Sequence, residues 1–175
     1  LDYVKGSEME LPVLLGALAG LRRSEICALT YEDFDLKNNT VKINKALVLN
    51  KDNRWVIKNT KTVSSNRTIQ ISQQIIDLVK KRQAASLPLL TINPSRITDS
   101  FSDILTRCGV AHFRFHDLRH YNASVMLALG VPDKYAMARM GHSTSNMLKT
   151  VYQHLIDEKE KEVNDSINDF FNNFV

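Results

Sequence analysis

From residue 40 to residue 71 the apolar residues fall two apart, whereas on both sides of that segment they recur every three or four positions. Val41 with Ile43, Trp55 with Ile57, and Ile69 with Ile71 mark the period of strands that bury one face. Turn-forming residues at 50–53 and 64–66 divide the segment, so it predicts a three-stranded antiparallel meander. Upstream, Met9, Leu11, Leu14, Leu15 and Leu18 predict a helix within 7–19, with Ser7 and Glu10 as a candidate capping box and Pro12 favouring a later start. A turn at Gly20 and a short helix over 24–29 follow. Beyond the meander, helices are expected over 73–85, 96–107, 116–129, 132–140, 144–155 and 158–173, punctuated by Gly109, Gly130 and Pro132. One small sheet set early among helices defines a mostly helical α+β fold.

Charge divides the chain unevenly. Six acids and two lysines give residues 157–175 about −4, so the overall +4 leaves about +8 on residues 1–156. Residues 1–156 therefore read as one basic domain suited to a polyanion, and 157–175 as an acidic helical tail with Val163, Ile167, Phe170, Phe171 and Phe174 at helical spacing. That tail is expected either to fold back or to dock on a neighbouring protomer. No apolar run approaches the ~20 residues of a membrane span, and the start does not resemble a signal peptide. The expectation is a soluble, cytoplasmic protein without membrane partners. Cys27 and Cys108 lie in apolar helical patterns and read as reduced core thiols. The chain opens on Leu1, as a fragment of a longer protein would.

Chemistry concentrates in "HFRFHDLRHY", residues 112–121. If a helix opens near Phe115 or His116, then His116 and Arg119 share a face of its first turn, where free N–H groups favour an anion. A metal set of His112, His116 and His120 competes, but an adjacent arginine is a poor companion for a cation. A third reading leaves these groups solvated. In "AGLRRSEI", Glu25 stands three residues after Arg22, within reach of its guanidinium; such a held fork suits two phosphate oxygens, although Arg-x-x-Glu is more often a weak surface pair. Lys61 in "TKTVSSNR" falls in or beside the second hairpin. His142 follows Gly141, and Tyr152 lies on a helix whose apolar positions include Met147, Leu148, Val151 and Leu155.

In this order the motifs "GLRRSEI", "TKTVSSNRTIQI", "FHDLRHYNAS" and "MGHSTSNMLKTVYQH" resemble the catalytic domain of the tyrosine recombinases, the integrases of phages and conjugative elements, over about residues 10–156. The resemblance implies the DNA breaking-and-rejoining fold, with Arg22 and Arg119 clamping phosphate, Lys61 as hairpin lysine, His116 and His142 as the two active-site imidazoles, and Tyr152 as nucleophile. Glu25 matches the acidic position after the first arginine, and His120 is a supporting residue. It further implies double-stranded DNA as partner, a 3′-phosphotyrosyl intermediate, no metal or other cofactor, and a homotetramer on paired sites. Tyr121 departs from the threonine common at its position, and the DNA-clamping domain that usually precedes this one has no counterpart in the sequence. Alternatives are type IB topoisomerase-like relaxation, and a non-catalytic helix-turn-helix module suggested by "SVMLALGVPDKYAMARMGHS".

Overall fold

A computed structural model describes residues 2–60, 65–82, 89–141, 164 and 168–169. After a 3₁₀ turn (Asp2–Val4), helix α1 (Glu10–Ala17) leads through Gly20 to the single turn of α2 (Arg23–Ile26) and a second 3₁₀ turn (Tyr31–Asp33). Five strands follow: β1 (Phe34–Asp35), β2 (Thr40–Ile43), β3 (Lys45–Leu49), β4 (Trp55–Asn59) and β5 (Arg67–Gln70). Helices α3 (Gln73–Arg82), α4 (Pro94–Arg107), α5 (Asp117–Ala128) and α6 (Asp133–Met140) complete the described chain. The α+β outline therefore holds. The helices expected over 144–155 and 158–173 lie outside the described residues.

Helix α1 is apolar on every side and occupies the centre, touching α2, α3 and α5. Leu11, Leu14 and Leu15 are at most 1% exposed, and they meet Ile26, Ile75 and Ile97 in one continuous core. Burying each such side chain contributes roughly 1.5–3 kcal/mol. Glu10 opens α1 and its carboxylate accepts from Gly6 N–H at 2.8 Å and not from Ser7, while the N-cap, Met9, makes no side-chain cap, so the expected Ser7–Glu10 capping box does not form. At α4 the Asn93 side chain accepts from Arg96 N–H at 2.9 Å and Pro94 opens the helix, two residues before the expected start. A second, smaller core joins α5 to α6 through Ala123, Met126, Ala136 and Met140.

The sheet corrects the expected meander. β1, β2 and β5 form the three-stranded antiparallel sheet, with Val41 opposite both Phe34 and Ile69 and Ile43 opposite Arg67. Trp55 and Ile57 leave that sheet and pair with β3 in a separate two-stranded ribbon, Leu47 facing Ile57 and Leu49 facing Trp55. Burial explains the split. Val41 and Ile43 are almost fully covered and require an equally apolar neighbour, which Ile69 supplies, whereas Ile57 and Leu49 stay about half exposed. Lys45 anchors the base of the ribbon, its ammonium 2.8 Å from the Asp33 carboxylate and 3.1 Å from the Thr30 hydroxyl. Cys27 is buried and Cys108 half-buried; burial pushes the Cys27 thiol up to about 12, leaving it protonated and unreactive.

Candidate active site

Three arginines from three parts of the chain converge on the last turn of α6. Arg67, on β5, donates from Nε to the Arg139 carbonyl at 2.8 Å. Arg119, in the first turn of α5, donates to the Met140 carbonyl and, from its other terminal nitrogen, to the Gly20 carbonyl. Arg22, at the start of α2, donates to the Gly141 carbonyl at 3.1 Å. The terminal carbonyls of a helix lack partners within it and form the negative end of its dipole, so cations are favoured there. Gly141, in the left-handed region at φ 64°, ends α6 as a C-cap.

Glu25 sits among these cations, 2% exposed. Each of its oxygens takes one bond from each of two arginines. Oε1 accepts from Arg22 Nη1 at 2.8 Å and Arg67 Nη1 at 3.0 Å; Oε2 accepts from the Arg22 backbone N–H at 2.8 Å and Arg67 Nη2 at 3.0 Å. Burial pushes the carboxyl up, but the hydrogen bonds and charges of Arg67 and Arg22 outweigh it and hold the pKa below the usual value. Among the described residues, three guanidiniums against one carboxylate leave two positive charges in excess. Arg119, 2% exposed, records that imbalance: burial, then repulsion from Arg22 and from Arg67, opposed by Glu25, brings its pKa down to about 9. An anion at this place relieves the repulsion.

His116 stands at the rim. Asp117 closes the start of α5 by accepting from Arg114 N–H at 2.8 Å, and Phe115, buried edge-on against Phe101 at 5.4 Å, pins the preceding loop to the core. The rings of His116 and His120 meet edge to face with centroids 4.8 Å apart. Partial loss of water, followed by the charges of His120, Arg119 and Arg22, lowers the His116 pKa. Its proton therefore leaves below the ordinary 6.5, and the ring is neutral at neutral pH. An NMR titration of the imidazole signals is expected to place its midpoint under 6.5, a prediction contradicted by a midpoint at or above that value. His112 faces solvent, 3.2 Å from the Ser102 hydroxyl and apart from the histidine pair.

Of the residues singled out from the sequence, the structure gathers Arg22, Glu25 and Arg119 and brings His116 and His120 to their edge. Lys61, His142 and Tyr152 lie outside the described residues, although Thr60, just before Lys61, is tied to the Asn44 carbonyl at 2.9 Å, and Gly141, just before His142, receives Arg22. Two contributors were missed. Arg67 falls in step with Ile69 and Ile71 on the covered face of β5, a parity that demands a buried partner for a charge. Arg139 crosses back to the Gln70 carbonyl at 2.9 Å and fastens α6 to β5.

The fold is that of a tyrosine recombinase catalytic domain. The structure of the Tn1549 transposon integrase in complex with transposon right end DNA superposes with a TM-score of 0.73 at 20% identity, covering 86% of this chain and 57% of that one. The chain belongs to the Phage integrase family, whose pattern it matches over residues 8–159. It is 26% identical to a tyrosine recombinase XerC-like protein of Caldanaerobacter subterraneus subsp. tengcongensis over 97% of its length, and 34% identical to an integrase of Saccharopolyspora erythraea over 63%. It spans 51% of the first relative and 30% of the second.

Proposed function

We propose that the chain is the catalytic part of a site-specific DNA recombinase that cleaves and rejoins strands of double-stranded DNA through a 3′-phosphotyrosyl intermediate. The observation that carries this reading is the seating of Arg22 and Arg119 on the adjacent carbonyls of Met140 and Gly141, with positive charge in excess around Glu25. Attack on a phosphodiester builds negative charge on the non-bridging oxygens, and two oriented guanidiniums answer it with charge-assisted hydrogen bonds. His142, one residue beyond the shared carbonyls, adds a donor. Tyr152 supplies the nucleophilic oxygen; with an ordinary pKa of ~10 it needs a base, and neutral His116 accepts its proton. Lys61 protonates the departing 5′ oxygen. The phosphotyrosyl bond retains the phosphodiester energy, so a hydroxyl of another strand reverses the step without ATP, metal or other cofactor.

The wider assignments follow from the same family pattern. Residues 1–156 form the catalytic domain, and 157–175 a docking segment through which protomers join as a tetramer on paired sites, within the cytoplasm of the host. The helix-turn-helix alternative is weakened by the use of α6, whose last carbonyls are committed to Arg67, Arg119 and Arg22. The test is incubation with a nicked duplex spanning an end of the encoding element, followed by denaturing electrophoresis. A DNA-linked protein species that disappears in Tyr152→Phe is expected. Adduct that persists in Tyr152→Phe, or none from the unaltered chain, would remove the proposal.

A further inference from the structure

We infer that Arg67 is a positioning residue for strand cleavage, acting through Glu25 and the end of α6 to aim Arg22; the inference rests on the recombinase reading above. Its side chain is 6% exposed and every guanidinium nitrogen is engaged: Nη1 and Nη2 grip both oxygens of Glu25 at 3.0 Å, and Nε holds the Arg139 carbonyl at 2.8 Å. That third contact places Arg67 in one row with Arg119 and Arg22, the three taking the consecutive carbonyls of residues 139, 140 and 141. A purely structural ion pair has no need to share a helix terminus with the two arginines assigned to phosphate.

Arg67 does two things there. First, its planar fork fixes the plane of the Glu25 carboxylate, and that carboxylate in turn holds both the backbone N–H and the guanidinium of Arg22. Arg22 is about a third exposed, and among the described residues its guanidinium has one other hydrogen bond, to the Gly141 carbonyl at 3.1 Å. Second, it supplies the countercharge for Glu25. Without Arg67, the Glu25 carboxylate would be spent on Arg22, and among the described residues the excess of two positive charges would fall to one, against a phosphorus centre that gains charge on both non-bridging oxygens during attack.

The geometry predicts a separation between folding and rate. Arg67→Lys keeps the charge and a hydrogen bond to Glu25 but cannot span both oxygens and the Arg139 carbonyl at once. Measured in the intact chain, it is expected to keep the melting temperature near that of the parent and to bind the nicked duplex equally well. Adduct formation at saturating DNA should nevertheless slow by roughly 100-fold, the scale of a misplacement near 1 Å. Arg67→Gln should lose both stability and rate, so that lysine rescues the first and not the second. Adduct formation by Arg67→Lys at the parent rate would remove the inference alone. A slowing that vanishes at saturating DNA, or an Arg67→Lys protein that does not fold, would reassign Arg67 to binding or to folding and equally overturn it. Absence of adduct from the unaltered chain would take down the recombinase reading and this inference together.

Discussion

Arg119→Lys should lower single-turnover adduct formation by about 10²–10³, the usual cost of removing one donor aimed at charge that develops in a transition state. The substitution preserves a positive charge in the first turn of α5, so simple electrostatic attraction for DNA survives. Geometry is what disappears. The Arg119 guanidinium bridges the carbonyls of Gly20 and Met140 and thereby joins the α1–α2 turn to the end of α6. A lysine ammonium is a point donor that can serve one of them with its orientation unfixed. Rate measured at saturating protein, with DNA affinity measured separately, separates the two effects. A loss confined to affinity would contradict the argument.

Gly20→Ala should lower the melting temperature by roughly 5–15 °C, from a destabilisation of about 2–5 kcal/mol. Two independent costs add. Gly20 has φ +69°, a region that an L side chain enters at about 1–2 kcal/mol. An added Cβ would also lie 2.8 Å from Asn122 Oδ1 and 2.8 Å from Met140 Sδ. Neither neighbour yields easily. Asn122 is buried and donates to the Ala17 carbonyl at 3.0 Å, while Met140 is 1% exposed and its own carbonyl receives Arg119. The displacement therefore reaches the arginine row, and cleavage should fall together with stability. Differential scanning calorimetry paired with the adduct assay checks both; a variant that melts with the parent would show that the turn has room to spare.

The helices were legible because each carries its own evidence. Periodicity sets their faces, and Gly109, Gly130 and Pro132 mark boundaries within a few residues of those observed, whereas the Asn93–Pro94 start of α4 lies two residues before the expected one. The sheet was harder. Alternation at Val41, Ile43 and Ile69 reveals which face is buried, but it does not name a partner, and Trp55–Ile57 carries the same signature while pairing elsewhere. β3, reading "KALVL", lacks polar alternation and gives no strand signal, and β1 is only two residues long. At the site, Arg22 and Glu25 lie close enough in sequence to suggest each other, whereas Arg67 reaches Glu25 across 42 residues and no local pattern announces it. The convergence of Arg22 and Arg119 was a spatial expectation drawn from resemblance, and their seats on neighbouring carbonyls fulfil it.

Those carbonyls belong to residues made after all three arginines. Arg22 must wait for a contact 119 positions further along, and Arg119 for one 21 positions further, before either guanidinium has its seat. A nascent chain still short of Met140 and Gly141 therefore lacks the carbonyls on which Arg119 and Arg22 seat. However early its members are made, the row of arginines is completed only by the last turn of α6.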